Sequence, residues 1–149
     1  MAQMSQWFCQ ELLRTAFNRD TYVPAYTNLA VALVSVVPPI NVDITQLGEP
    51  TIGGYARVVI PYNTANWGLT GYREVFNNLA INYPAATDFW GQMEGYVVLS
   101  AAGSVAVPDY TASMTVAVGR LVQPLRVIAG IQPSLPIAAV SFGLYDSAP

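Results

Sequence analysis

The sequence predicts a mainly β fold, an antiparallel β-sandwich or jelly-roll-like domain with one N-terminal α-helix. Three observations lead there. Between residues 28 and 144 six to eight short apolar runs recur, each closed off by glycine, proline or asparagine, which is how strands joined by turns are punctuated. Residues 5–18 follow a different, helical period. The chain of 149 residues has the size of one ordinary domain. Residues 1–149 are therefore expected to form a single domain, with a helix over 5–18 and a sandwich over 28–144.

The helix rests on Phe8, Cys9, Leu12, Leu13, Ala16 and Phe17, which share one stripe, while Gln6, Gln10, Glu11, Arg14 and Asn18 take the opposite face. Ser5 is placed to cap its start. Such a short helix is marginal alone, so the stripe is expected to lie on the sheet or on a neighbouring subunit. Trp7, at the edge of the stripe, is the first candidate for an intermolecular contact.

The strands follow in order. Asn28 to Val37 is apolar on both faces, as a central or covered strand is. After a loop containing Pro38-Pro39 and Gly48-Glu49-Pro50, the glycine pair Gly53-Gly54 launches Tyr55 to Tyr62 out of a tight turn, with Pro61 marking an edge or a bend. A turn-rich segment then holds Trp67 and Tyr72, whose rings either fold back onto the domain or form a recognition surface. Glu74 to Tyr83 alternates like a half-solvated strand. Tyr83 to Gly91 is a short crossing, with Trp90-Gly91 opening the next strand. Gln92 to Ser100 places Met93, Val97 and Leu99 inward, and Ala101 to Ser104 is a hairpin turn. Residues 105–113 read as a loop insertion around Pro108-Asp109. Met114 to Val122, Leu125 to Ala129 and Ile137 to Leu144 complete the set.

Apolar residues make up 53% of the chain and charged ones 10%, against about 25% charged in an average soluble domain. Such a surface suits a subunit that covers its outside with neighbours, so a homo-oligomer is expected. The apolar run from Leu29 stops at Pro38, short of the ~20 residues a membrane span needs, and no signal-peptide pattern opens the chain. No membrane partner is expected. The basic residues Arg14, Arg19, Arg57, Arg73, Arg120 and Arg126 are scattered and the net charge is −3, which argues against a nucleic-acid partner. Arg57, on a strand of apolar residues, is either a solvent-facing charge or an interface anchor awaiting a carboxylate. The lone Cys9 makes no intramolecular disulfide.

Catalytic chemistry is poorly provided for. There is no histidine, which removes the commonest general base and a principal metal ligand, and no phosphate loop, nucleophile elbow or dinucleotide fingerprint. Asp88, Glu94 and Asp109 are the nearest set for carboxylate-pair hydrolysis, and Asp43 with Glu49 for calcium. Nothing in the sequence gathers either set. No catalytic residue, metal or cofactor is expected.

Thr21-Tyr22-Val23-Pro24, Leu29 to Leu33, Gly53-Gly54-Tyr55-Ala56-Arg57, Ile81 to Thr87 with Trp90-Gly91, Gly119-Arg120-Leu121 and Val127 to Gly130 occur in an order that resembles a family of small tailed-phage virion proteins. These are often labelled tail-fibre-like and are encoded among structural genes. The chain departs from the family's pattern at Val34, at 108–113 and at Ile131-Gln132-Pro133. The resemblance implies a non-enzymatic structural protein of a bacteriophage virion, assembled in the host cytoplasm with other capsid or tail proteins as partners. A capsid decoration or cement protein, or the base of a spike, fits its compact length. The alternative is a tail-fibre or receptor-binding module that takes a host-surface glycan on Trp67, Tyr72 and Trp90. The candidate interface residues are thus Trp7, Arg57, Trp67, Tyr72 and Trp90.

Overall fold

A computed structural model describes residues 3–5, 26–70, 74–111 and 113–143. Its strands are β1 (Gln3–Met4), β2 (Asn28–Val34), β3 (Val58–Pro61), β4 (Trp67–Thr70), β5 (Glu74–Asn77) and β6 (Ile81–Asn82). They continue with β7 (Gly91–Gly103), β8 (Pro108–Asp109), β9 (Thr115–Val127), β10 (Ser134–Leu135) and β11 (Ser141–Gly143). Six strands form one antiparallel sheet in the order β1-β9-β7-β2-β3, with β8 added to β7. Two small sheets accompany it, β11-β5-β4 and β10-β6.

β2 occupies the place its composition calls for. It lies between β7 and β3, and all seven of its residues are buried. Leu29, Val31 and Leu33 join one core with Trp67, Ile81, Tyr83, Trp90, Val140 and Phe142 from the small sheets and their connections. Ala30, Ala32 and Val34 join a second core with Val97, Leu99 and Leu47. Partly buried Ile40, Val42 and Ile44 close this second core from outside. The main sheet is therefore covered on one side by the small sheets and on the other by the irregular stretch 35–47.

This architecture corrects the expected helix plus β-sandwich or jelly roll. The described residues are all β, with no helix among them. Of the expected helix over 5–18, residues 6–18 lie outside the described residues. Ser5 extends the β1–β9 ladder, donating its N–H to Val116 O at 2.8 Å. Nor do the described residues form a second large sheet to make a sandwich. The main sheet is an open half-barrel, and the segments expected to face it break into strands of two to four residues. Asn77 causes one of these breaks. Its side chain is spent on the turn at 78–80 and on the 136–140 connection, donating to Leu79 O at 2.8 Å and Pro136 O at 2.9 Å.

The length goes instead into β7 and β9, of 13 residues each. The expected hairpin turn at 101–104 lies mostly inside β7. The expected break at Gln123-Pro124 is absorbed by a bulge, since Gly95 pairs with Arg120 while Met93 pairs with Leu125. A proline that donates nothing to a ladder is accommodated in this way. The same irregularity changes the side-chain parity of β7. Met93 falls on the face of Tyr96 and Val98, whereas Val97 and Leu99 face the other core.

Candidate docking surface

Gly53 and Gly54 take φ of 71° and 73°, the left-handed turn expected of them. This turn is tied to the crossing before β7. Gly53 O accepts the Thr87 N–H at 2.9 Å and the Trp90 Nε1–H at 2.9 Å. The approach is close: a Cβ on Gly53 would lie 2.7 Å from Trp90 Nε1 and 3.0 Å from the Asp88 backbone nitrogen. The Tyr55 ring meets Trp90 edge to face at 5.2 Å and stacks beside Tyr83 at 6.4 Å. The Gly53-Gly54 turn and the crossing at 83–91 are thus the halves of one clamp.

Two residues on from Tyr55, at Arg57, the clamp becomes polar. Tyr55 Oη donates to Glu49 Oε1 at 2.7 Å and accepts the Leu33 N–H at 2.9 Å. Arg57 Nε is 3.0 Å from both oxygens of Glu49, and its Nη2 donates to Oε2 at 2.6 Å and to Ile44 O at 3.2 Å. The guanidinium carbon sits 4.7 Å from the centre of the Tyr110 ring, within cation–π range. Burial works against the Arg57 charge, but the hydrogen bonds and charge of Glu49 outweigh it and the pKa rises. Burial, reinforced by Glu49, raises the pKa of Tyr55 and of Tyr83 far above the ordinary phenol value. At neutral pH the group is a closed ion pair backed by two neutral tyrosines.

Of the residues singled out by sequence as candidate contacts, Trp7 and Tyr72 lie outside the described residues. Arg57 has its carboxylate within the chain, in Glu49. Trp67 and Trp90 are only 5% and 6% exposed. Trp67 packs edge-on against Phe142 at 6.0 Å. These three side chains are engaged in holding the fold.

The exposed apolar residues are different ones. Val105 and Val107 project with Tyr62 at the end of the main sheet where β7 turns back. Ile52, Phe89, Ile128 and Ile131 are exposed around the clamp at the opposite end, where Arg126 lies 5.9 Å from the Phe89 ring centre. Leu69, Leu79 and Ile137 are exposed on the small sheets. Val122, in the β9 bulge, is 98% exposed. Sequence reasoning did not single these out, because apart from Leu69 in β4 they sit in turns, connections or the β9 bulge, where strand alternation gives no signal.

Of the candidate carboxylates, Asp109 and Glu94 stand far apart. Asp109 pairs with Ala102 at one end of β7 while Glu94 lies near the other, eight residues or roughly 27 Å along an extended strand. A pair of glycosidase carboxylates stands at most ~9.5 Å apart. Asp43 and Asp109 have lowered pKa values because each accepts hydrogen bonds from a threonine two residues on, Thr45 and Thr111. Among the described residues no group of three or more His, Cys, Asp or Glu is placed to hold a metal ion, and no helix is long and apolar enough to cross a membrane. In comparisons with known proteins, no family model matches the chain and no curated protein does.

Proposed function

We propose that the chain is a non-enzymatic structural subunit of a tailed-phage particle, a capsid decoration or spike-base protein that binds other virion proteins and itself. The supporting observation is the surface. Val36, Leu69, Leu79, Val107, Val122 and Ile137 are each more than half exposed, in a chain with 10% charged residues. Both cores close without them. Covering them yields about 25 cal/mol per Å² of apolar area, set against the loss of freedom on association, and the assembled state is then favoured by mass action. The succession of motifs that resembles small virion proteins supports the same reading. The inward placement of Trp67 and Trp90 favours assembly over a sugar platform built on those rings.

The test joins light scattering of the purified protein with mass spectrometry of washed particles. An oligomer in solution and the chain's peptides in the particle are expected. A protein that stays monomeric and is missing from the particle would sink the reading.

A further inference from the structure

The hydrogen-bond phase of β3 leaves one edge of the main sheet open. Tyr62 N–H donates to Thr27 O at 3.0 Å, and Asn28 faces Pro61 in the ladder. Even-numbered residues from 58 to 62 therefore bond to β2, and odd-numbered ones turn their backbone groups away from it. Leu33 agrees with this phase. Its N–H, on the same side of β2 as those of Leu29 and Val31, is taken by Tyr55 Oη at 2.9 Å. On the outer side, Pro61 has no N–H to offer, and its carbonyl accepts the Asn63 N–H at 3.0 Å and Asn66 Nδ2 at 3.1 Å. Among the described residues nothing bonds the backbone N–H or C=O of Val59, or of Arg57, which continues the alternation. Donor and acceptor thus recur along this edge with the spacing of a ladder.

The opposite edge is defended. β1 covers Ala117 and Val118 of β9, and beyond them β9 carries exposed Arg120, the bulge and Pro124, each of which discourages a further strand. β3 instead presents Val58, Val59 and Ile60, β-branched and uncharged, and the adjacent Arg57 is neutralised by Glu49 of its own chain. Such an edge is a template for another strand, and a second β3 is the strand that completes it. A two-fold axis at Val58 sets Arg57 of one chain opposite Val59 of the other. The backbones then exchange hydrogen bonds on both sides of the axis, and Val58 meets its own copy between them. Every open group on both edges is used, and neither Pro61 is called on. A strand of another protein would bring an outer edge of its own and leave it open. The faces agree as well. Val58 lies on the side of the first core and Val59 on that of the second, and antiparallel partners share a face, so apolar side chains meet apolar ones and no unpaired like charges are brought together.

We propose that two copies of this chain join edge to edge through β3, in a symmetric dimer whose main sheets run on into one another with Arg57 of each opposite Val59 of the other. The proposal rests on the reading of the chain as an assembling subunit and specifies its first contact. Sedimentation velocity over a concentration series tests it, with the Val59→Pro variant. The Val59 N–H points away from β2, so proline there leaves the β2–β3 ladder whole. Circular dichroism and Tm stay as in the unmodified protein while the dimer Kd rises at least tenfold. Amide exchange of the unmodified protein gives a second reading, in which Val59 N–H is protected at high concentration and exposed at low, and Ile60 N–H is protected at both. In a Cys9→Ser background, a Val58→Cys chain gives a covalent dimer on oxidation, because residues paired across the axis lie about 4.5 Å apart. An Ile60→Cys chain, roughly 13 Å from its copy in this register, does not. A dimer that Val59→Pro leaves intact, with Val59 exchange independent of concentration, overturns this edge and leaves the assembling subunit standing. A chain that is monomeric to ~1 mM yet present in washed particles overturns the second copy as occupant. A chain that is monomeric and missing from particles removes both.

Discussion

Arg57 and Glu49 form a forked ion pair eight residues apart, with Nη2 to Oε2 at 2.6 Å and side chains only 17% and 15% exposed. The pair fastens the stretch 35–49 to the start of the β3 region, and this stretch covers the second core. Its value lies less in Coulomb attraction than in what its loss would strand.

Replacing Arg57 with Ala leaves the Glu49 carboxylate half-buried, with Tyr55 as its remaining donor. Breaking a buried pair costs about 3–5 kcal/mol; with this partial exposure a loss of about 2–3 kcal/mol is expected. Replacing Glu49 and Arg57 together, each by Ala, is expected to cost less than the two single Ala changes added, because neither charge is then orphaned. Urea denaturation of the four proteins measures this cycle, and additive costs would show that the pair is uncoupled.

Gly53 makes a second, sharper prediction. Ala at this position meets both a left-handed backbone and the Trp90 ring, so a loss of about 3 kcal/mol is expected. Gly130 supplies the control, since its φ is 83° but a Cβ there would meet nothing within 4 Å. Gly130→Ala is expected to cost only about 1–2 kcal/mol. Equal losses in the two variants would mean that the contact with Trp90 contributes nothing. Trp90 fluorescence should shift in the first variant and not in the second.

Much of this was legible in the sequence. Gly53-Gly54 announced its turn because only glycine takes that conformation cheaply, and the unbroken apolar run from Leu29 announced a strand covered on both faces. The open half-barrel with its two small sheets, in place of a sandwich, was not legible. Short apolar runs say that strands exist, not which of them join. The pairing of Met93 with Leu125 across four unpaired residues, which merges two expected strands into one, depends on a bulge that Gln123-Pro124 permits but does not dictate. The partner of Arg57 was hidden for a related reason. Glu49 lies in a loop, where no periodicity says which way a carboxylate turns, and the same ambiguity left Trp67 and Trp90 open between core and surface.

The buried tyrosines predict the alkaline limit of stability. In the folded chain the pKa of Tyr55 and that of Tyr83 are raised by burial and then by Glu49, while in the unfolded chain tyrosines ionise near pH 10. A raised folded pKa means that the contribution is fully present below pH 10 and is lost as pH climbs beyond it. Each tyrosine then removes up to about 1.4 kcal/mol per pH unit, so urea midpoints are expected to be flat from pH 7 to 9 and to fall steeply above 10. Absorbance at 295 nm should show at least two phenols that ionise only on unfolding. Tyr83→Phe, which gives up a 3.3 Å bond to Val31 O, should roughly halve the slope; an unchanged slope would assign it to other groups.

The last prediction concerns the joint between the small sheets. Asn77 is 1% exposed and satisfies three backbone groups, donating to Leu79 O and Pro136 O and accepting the Val140 N–H at 2.9 Å. Leu in its place is close in size but strands all three, and a buried unpaired group costs about 1–3 kcal/mol, so a loss of about 3–4 kcal/mol is expected. The same joint holds a reserve of strain. Ala138, which donates its N–H to Asn77 O at 2.9 Å, takes φ of 60°, a conformation that costs an L-residue roughly 1–2 kcal/mol. Glycine relieves that cost but adds freedom to the unfolded chain, offsetting about 0.5–1 kcal/mol of it. Ala138→Gly is therefore expected to stabilise by about 0.5–1 kcal/mol, read as a higher urea midpoint at unchanged slope. If it destabilises instead, the left-handed turn at 138 carries no strain and Asn77 alone holds the joint.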